Sequence, residues 1–197
     1  MVTTAQDDAP LEEEFEVAAQ RQSPWRMTVR RLRPSDSMTE LTGLLHRAYA
    51  KQVTLGMHAL ASHQTPEVTR RRVDKGECFV AVDEVGGQII GSIMFQEPSW
   101  GGSATESGPR WFRRPDVANF SQFAVEPSRQ GQGIGRLLLE GVERRARELG
   151  MAELALSTAE ADAELVAFYR ARGFRDIDRF DWGVTNYTSL IMSKSLR

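Results

Sequence analysis

A glycine-rich turn, Gln130-Gly-Gln-Gly-Ile-Gly-Arg136, has the composition of a phosphate or pyrophosphate site. It follows an apolar run, Phe120–Val125, that is typical of a strand, and it precedes an amphipathic helix predicted over 134–149. The first N–H groups of a helix have no partner within it and lie at the positive end of the helix dipole. Three alternating glycines let the backbone approach a bulky anion without Cβ clashes. The segment therefore predicts an anion site where a strand meets a helix.

Three known phosphate-binding loops compete for this turn. A P-loop needs a lysine directly after its last glycine, and the chain has no lysine between Lys75 and Lys194. A dinucleotide-binding fold needs the spacing G-x-G-x-x-G, but here the third glycine comes one residue too early. The third pattern, Q-x-x-G-x-G, is met in full by Gln130 to Gly135.

The turn, the strand before it and a later helix together resemble the GNAT superfamily of acyltransferases that use acetyl-coenzyme A. The segment Gln122–Val125 is similar to the fourth strand of that superfamily, which carries a β-bulge. The segment Phe168-Tyr-Arg-Ala-Arg-Gly-Phe174 matches its F-Y-x-x-x-G-F signature. The resemblance covers about 170 residues, from Met27 to Ser195, with the elements in the same order.

The resemblance implies roles for the matching residues. Backbone N–H groups of the turn would bind the coenzyme A pyrophosphate, and the strand Phe123–Val125 would pair with the pantetheine arm. The Val125 N–H would stabilise negative charge on the acetyl carbonyl, and the Tyr169 phenol would protonate the leaving thiolate. Asp162 stands where the family often has Asn, and Asp is also a favoured helix N-cap. The residues assigned to the coenzyme are Phe123, Ala124, Val125, Gln130, Gly131, Gln132, Gly133, Ile134, Gly135, Arg136, Asp162, Phe168 and Tyr169.

The sequence leaves the general base open. Some family members place a glutamate on the fourth strand about six residues before the valine, where this chain has Asn119. Candidates elsewhere are Asp116, Glu106, Glu97 and His46, each of which is also explained as a structural or solvated residue. A water chain, or an amine that arrives partly deprotonated, is an equal alternative.

The acceptor site is expected between the first helices and the Gly/Pro-rich loop of residues 96–117, because a loop of that length is usually functional or disordered. The arginines of this loop favour an acceptor that carries a carboxylate or another anion. By contrast, Arg70–Arg72 is predicted to be a solvated helix face. The acceptor itself stays open among amino acids, polyamines, drugs and protein amines. Residues expected at the acceptor are Met57, His58, Trp100, Trp111, Phe112, Asn119 and Gln122.

The elements that must position these residues follow from periodicity and helix caps. Alternating apolar residues predict strands, and capping patterns at Ser37 and Thr65 predict the first two helices, the second running to Lys75 with Gly76 after it. The resulting order is β-α-α-β-β-β-α-β-α-β-β. We therefore expect an α/β (α+β) fold: a mixed, mostly antiparallel central sheet of about seven strands with helices on both faces.

Composition sets the outer limits. The chain has 197 residues and a formal net charge of -2. Residues 1–25 hold six acidic residues against one arginine, or -5, which leaves +3 for residues 26–197. We expect an acidic, flexible tail over 1–25 and one catalytic domain over 26–197. One cysteine and three histidines disfavour a metal site, and the absence of a long apolar run argues against a membrane partner.

The leading hypothesis is a cytoplasmic N-acetyltransferase. It would transfer an acetyl group from acetyl-CoA directly to a small-molecule or peptide amine in a ternary complex, without nucleic acid as a partner and with a homodimer as a possible assembly. The alternative is a non-catalytic module of the same fold that binds coenzyme A or a partner as a sensor, which the neutral fourth strand favours. A third hypothesis is a structural protein that dimerises through its tryptophan-rich loops.

Overall fold

The structure is a computed structural model that describes residues 26–98 and 108–197. Its strands are β1 (Met27–Arg31), β2 (Glu77–Asp83), β3 (Ile89–Gln96), β4 (Val117–Val125), β5 (Glu153–Ala159), β6 (Arg175–Phe180) and β7 (Ser189–Ser195). Its α-helices are α1 (Met38–Thr54), α2 (Pro66–Val73), α3 (Ile134–Glu148) and α4 (Ala163–Arg170). The strands form one sheet in the order β1-β2-β3-β4-β5-β7-β6. All neighbouring pairs are antiparallel except β4 and β5, so the predicted fold class and element order are confirmed.

Helices cover both faces of this sheet, because successive residues of a strand point in opposite directions. Phe79 and Ala81 of β2 belong to a core that includes α3 and α4, whereas Cys78 and Val80 belong to a second core with α1. A strand that is buried on both faces appears in the sequence as a continuous apolar run. The helices on both faces confirm that part of the prediction.

The first helix begins at its predicted N-cap, Ser37, but only half of the capping box forms. The Ser37 hydroxyl accepts the Glu40 N–H at 3.2 Å, as expected. In a capping box the Glu40 carboxylate would reach back to the Ser37 N–H. Here it accepts the Ile89 N–H at 2.7 Å instead. Glu40 therefore ties α1 to the start of β3, a long-range contact that local sequence does not reveal.

The second helix is two residues shorter than predicted, and the glycine after it has another role. The helix α2 ends at Val73 with Asp74 as its cap, so Gly76 lies beyond it at the start of β2. A Cβ on Gly76 would lie 2.2 Å from the carbonyl oxygen of Phe95 on β3. Close approach to the neighbouring strand, rather than helix termination, is therefore what requires glycine at this position.

The predicted acidic tail over 1–25 lies outside the described residues. Within the described ranges, no helix is both long enough and apolar enough to cross a membrane. The cytoplasmic location, the homodimer and the domain boundary near residue 26 stay predictions.

Replacing Gly76 by alanine should destabilise the fold, because the new methyl group meets rigid backbone. We expect Gly76→Ala to lower the free energy of unfolding by about 1–3 kcal/mol, the usual cost of overpacking. The measurement is thermal unfolding followed by circular dichroism. Gly86→Ala is the matched control, since the nearest heavy atom to its Cβ is 3.8 Å away. Equal melting temperatures for the two variants would contradict this account.

Candidate active site

The central feature of the site is a gap between the two parallel strands. Strands β4 and β5 are paired only from Val117 opposite Glu153 to Phe120 opposite Leu156. Beyond these residues β4 stays paired with β3 as far as Val125, and β5 stays paired with β7 as far as Ala159. A cleft of about 950 Å³ opens there, lined by the unpaired halves of both strands and by parts of α1, α3 and α4.

A β-bulge lies on β4 at the edge of this cleft. Ser92 and Met94 of β3 stand opposite Ala124 and Ser121 of β4, so β4 has one more residue than β3 over this stretch. Gln122 takes the extra space with a φ of 49°, the left-handed region that a side chain other than glycine rarely enters. The bulge implied by the family resemblance is therefore present, and it is built on Gln122.

Hydrogen bonds hold the bulge in its strained conformation. The Gln64 amide nitrogen donates to the Gln122 side-chain oxygen at 2.9 Å and to the Thr69 hydroxyl at 2.7 Å. The Ser92 hydroxyl donates to the Gln122 carbonyl at 3.1 Å. Holding a residue other than glycine in the left-handed conformation destabilises the fold by about 1–3 kcal/mol. Leaving a buried hydrogen-bonding group without a partner would destabilise it by a similar amount. The network therefore offsets the strain and keeps the bulge in one conformation.

The bulge directs a backbone donor into the cleft. The Glu126 N–H donates to the Ile90 carbonyl of β3 at 2.9 Å. Successive N–H groups along a strand point to opposite sides, so the Val125 N–H points away from β3, toward the space that β5 has left. This orientation agrees with the oxyanion role that the resemblance implies for Val125.

The glycine-rich turn forms a cradle of backbone donors at one end of the cleft. Gly131 and Gly133 have φ values of 76° and 86°, and a Cβ on either would point into open space. The helix α3 begins directly after Gly133 without a side-chain cap. Within the described part of the chain, no acceptor takes the backbone N–H groups of residues 131–136. This donor set fits a pyrophosphate.

The third glycine of the turn has a packing role that the first two lack. Gly135 lies in the first turn of α3, and a Cβ there would stand 3.1 Å from the Cζ atom of Phe123. Glycine at this position therefore lets α3 lie close to the bulged strand. Gly135 thus has a packing role in addition to the anion role, which stays a prediction.

Tyr169 lies against the same cleft and is held by aromatic packing. Its side chain is only 4% exposed. Its hydroxyl forms no hydrogen bond with any residue in 26–98 or 108–197. Burial raises the pKa of Tyr169 well above its usual value, and Tyr49 and Asp162 raise it further. The phenol is therefore protonated and neutral at physiological pH. Its ring packs on the rings of Phe120, Phe123, Phe168 and Phe174.

The other residues assigned to the coenzyme mostly line this cleft, with Gln132 as the exception. Asp162 caps α4 by accepting the Leu165 N–H at 3.1 Å, and it also accepts the Gln52 amide at 2.9 Å. Both oxygens are thus used within the protein, which is the capping role that the sequence left open. The ring of Phe168 carries the Arg172 guanidinium on its face at 3.5 Å.

The predicted acceptor residues divide into two groups. Asn119 and Gln122 are buried and line the cleft, as does Phe112. Trp111 is not a lining residue: its indole packs under the Arg114 guanidinium at 4.4 Å. The assignment of Trp111 to the acceptor is therefore corrected in favour of its neighbour, because the single helical turn at this point turns Phe112 inward. Trp100 lies outside the described residues.

The candidate bases are engaged elsewhere. Asp116 pairs with Arg114 through bonds of 3.0 and 2.8 Å, and the His46 ring bonds to the Gln64 carbonyl at 2.8 Å. Neither they nor Glu97 line the cleft, and Glu106 lies outside the described residues. No group of His, Cys, Asp or Glu within the described ranges is arranged to hold a metal ion.

Three functional residues were not identified from the sequence: Tyr49, Gln64 and Arg72. Tyr49 and Arg72 line the cleft, and burial raises the pKa of Tyr49 to about 12. The prediction that Arg70–Arg72 is a uniformly solvated face is wrong for its last member. Arg72 lies three residues after the buried Thr69, so helical spacing was an available signal that both face inward.

Comparisons with known proteins agree with this geometry. The sequence model of the acetyltransferase (GNAT) family matches residues 40–174. Aminoglycoside N(6')-acetyltransferase type 1 of Stenotrophomonas maltophilia is 29% identical over 153 residues, which are 77% of this chain and 88% of that protein. IAA acetyltransferase of Azospirillum brasilense is 40% identical over 72 residues, 36% of this chain and 47% of that protein.

A solved structure shares the fold at low sequence identity. A GNAT family acetyltransferase from Elizabethkingia anophelis with acetyl-CoA bound has a TM-score of 0.59 and 17% identity, covering 86% of this chain and 97% of that chain. The family match and the named acetyltransferase relatives indicate an N-acetyltransferase. The chain belongs to the acetyltransferase (GNAT) family, as the sequence resemblance predicted.

Proposed function

We propose that the chain transfers an acetyl group from acetyl-CoA to an amine in a ternary complex. The observation that carries this proposal is that one cleft holds the anion cradle, the unpaired edge of β4 and the Tyr169 phenol. These parts lie in the order that a diphosphate, an extended arm and a thioester require. The family match and the acetyl-CoA bound in a structural relative support the same co-substrate.

The chain's own groups supply binding and orientation. The N–H groups of residues 131–136 would bind the pyrophosphate, and the free edge of Phe123–Val125 would pair with the amides of the pantetheine arm. Bound acetyl-CoA supplies an activated thioester. The arm would fit the gap between β4 and β5, because neither strand has a paired strand on the side that faces the gap.

The transfer itself needs one donor for the carbonyl and one acid for the sulfur. As a neutral amine attacks the acetyl carbon, the Val125 N–H donates to the carbonyl oxygen and stabilises its negative charge. As the carbon–sulfur bond breaks, the Tyr169 hydroxyl would give its proton to the sulfur, which leaves as the free thiol of coenzyme A. The amine nitrogen would lose its extra proton to water, and the Tyr169 phenolate would take a proton back from water, which restores the phenol. The acids that line the cleft, Asp162 and Glu164, are already bonded to Gln52 and Lys51.

The turn glycines should matter for coenzyme affinity. Gly133→Ala forces a side chain into a left-handed conformation and shifts the donors of the cradle. We expect coenzyme A to bind about tenfold more weakly, the loss of one charge-assisted hydrogen bond. Isothermal titration calorimetry measures the change.

Gly150→Ala is the matched control for that experiment. Gly150 has a φ of 71° and open space around its Cβ, but it lies at the opposite end of α3. The Gly150→Ala variant should lose about as much thermal stability as Gly133→Ala, but it should keep the wild-type affinity for coenzyme A. Equal affinity losses in the two variants would contradict the cradle.

Removing the Tyr169 hydroxyl should slow the chemical step. Tyr169→Phe keeps the aromatic packing, so we expect coenzyme A affinity to stay within about twofold while kcat falls about 100-fold, the lower range for a general acid. Thiol release with the best acceptor of an amine panel measures kcat. An unchanged kcat would remove the acid role. Tight coenzyme binding by the wild-type chain without transfer to any amine would instead favour the sensor alternative.

A further inference from the structure

Arg72 is placed unlike the other arginines of its helix. Arg70 and Arg71 are exposed on the outer face of α2, whereas Arg72 is partly buried and lines the cleft. Its Nη1 donates to the Gln64 side-chain oxygen at 2.7 Å. Among residues 26–98 and 108–197, no carboxylate forms an ion pair with it. Arg172 also lines the cleft without an acidic partner, but its guanidinium donates to the Phe168 carbonyl and stacks on the Phe168 ring. Among the described residues, Arg72 has only the Gln64 side chain as a hydrogen-bond partner.

A partly buried Arg72 without an acidic partner destabilises the fold, unless a ligand supplies the negative charge. Removing a guanidinium from water without a counter-ion is unfavourable, and burial lowers the pKa of Arg72 from its usual value. The same Gln64 that holds Arg72 also holds the bulge at Gln122. A guanidinium has five N–H groups, of which Gln64 takes one, so a planar fork of donors remains for a carboxylate.

The charges of the other side chains that line the cleft also favour a carboxylate ligand for Arg72. Lys75 follows α2, lines the same part of the cleft, and has no acidic partner within the described ranges. Tyr49 and Tyr187 also line this part, and burial raises the pKa of both phenols, so they are neutral. The acids that line the cleft, Asp162 and Glu164, are bonded to Gln52 and Lys51 instead. Arg72 and Lys75 therefore bring positive charge to the cleft that no carboxylate of the described residues neutralises.

We propose that Arg72 binds a carboxylate of the acceptor, so that the substrates are small amines of the amino-acid class. This inference rests on the proposed acetyl transfer and names its acceptor. Arg72, Tyr49 and Tyr169 all line one cleft, so a carboxylate bound to Arg72 would share that cleft with the reacting groups. Through Gln64 the subsite is also joined rigidly to the bulge that orients Val125. A carboxylate on Arg72 would therefore hold the amine at a fixed distance from the thioester.

Matched acceptors test the proposal. L-Leucine, L-leucinamide and isoamylamine share a side chain but differ in the carboxylate, and the phenylalanine series and spermidine extend the panel. We expect wild-type kcat/KM to favour the carboxylate member of a series by about 10- to 100-fold, the value of a bidentate charged contact. Arg72→Gln should reduce that ratio to near one, Arg72→Lys should keep part of it, and the exposed Arg71→Gln should keep all of it. Equal rates for both members in the wild type, or an unchanged ratio in Arg72→Gln, would overturn the proposal.

A binding measurement separates this proposal from the proposed function. With coenzyme A saturating, N-acetyl-L-leucine should raise the melting temperature of the wild-type chain, and N-acetyl-L-leucinamide should not. Arg72→Gln should lose the difference and Arg71→Gln should keep it. If the carboxylate raises the melting temperature but no amine is acetylated, acetyl transfer is overturned and the carboxylate subsite is supported. If amines are acetylated without any dependence on a carboxylate, the subsite is overturned and acetyl transfer is supported.

Discussion

The early end of the pairing between β4 and β5 is the constraint on which the site depends. Two parallel strands that pair over four residues and then part leave backbone donors and acceptors that must find another partner. The bulge at Gln122 lies two residues beyond Phe120, the last residue of β4 that pairs with β5. Its left-handed residue costs about 1–3 kcal/mol, and the bonds from Gln64 and Ser92 offset that cost. The cleft is thus stabilised by the fold before any ligand arrives.

The chemistry follows from what the gap brings together. In the proposed transfer, the turn after β4 would supply donors for an anion, β4 would supply a free edge and the Val125 N–H, and α4 would supply a neutral phenol. Reaction of an amine with a thioester has few other demands, so most of the rate enhancement is expected to come from positioning and from donors fixed in place. The cleft also holds the cationic side chains of Arg72 and Lys75, which have no acidic partner among the described residues.

Much of this could be predicted from the sequence, because it depends on local patterns. Strand and helix periods, caps at Ser37 and Thr65, and the glycine spacing after β4 each act over a few residues. The order of the elements follows these patterns, although α2 ends two residues earlier than predicted. The network around Gln64 could not be found this way, because its partners come from four separate elements. Trp111 and Phe112 show the same limit. The composition of residues 96–117 predicted a functional loop, but the sequence could not predict which of the two rings faces the cleft.

Amide hydrogen exchange of the full chain, with and without saturating coenzyme A, tests most directly whether the gap between β4 and β5 is the coenzyme site. The account predicts that Val125 and residues 131–136 exchange at least about tenfold more slowly with coenzyme A, because their N–H groups gain acceptors. The hairpin turn at Gly86 and Gly87, which lines a separate groove, should be unaffected. Protection confined to that hairpin, with unchanged exchange along β4 and the glycine turn, would contradict the account.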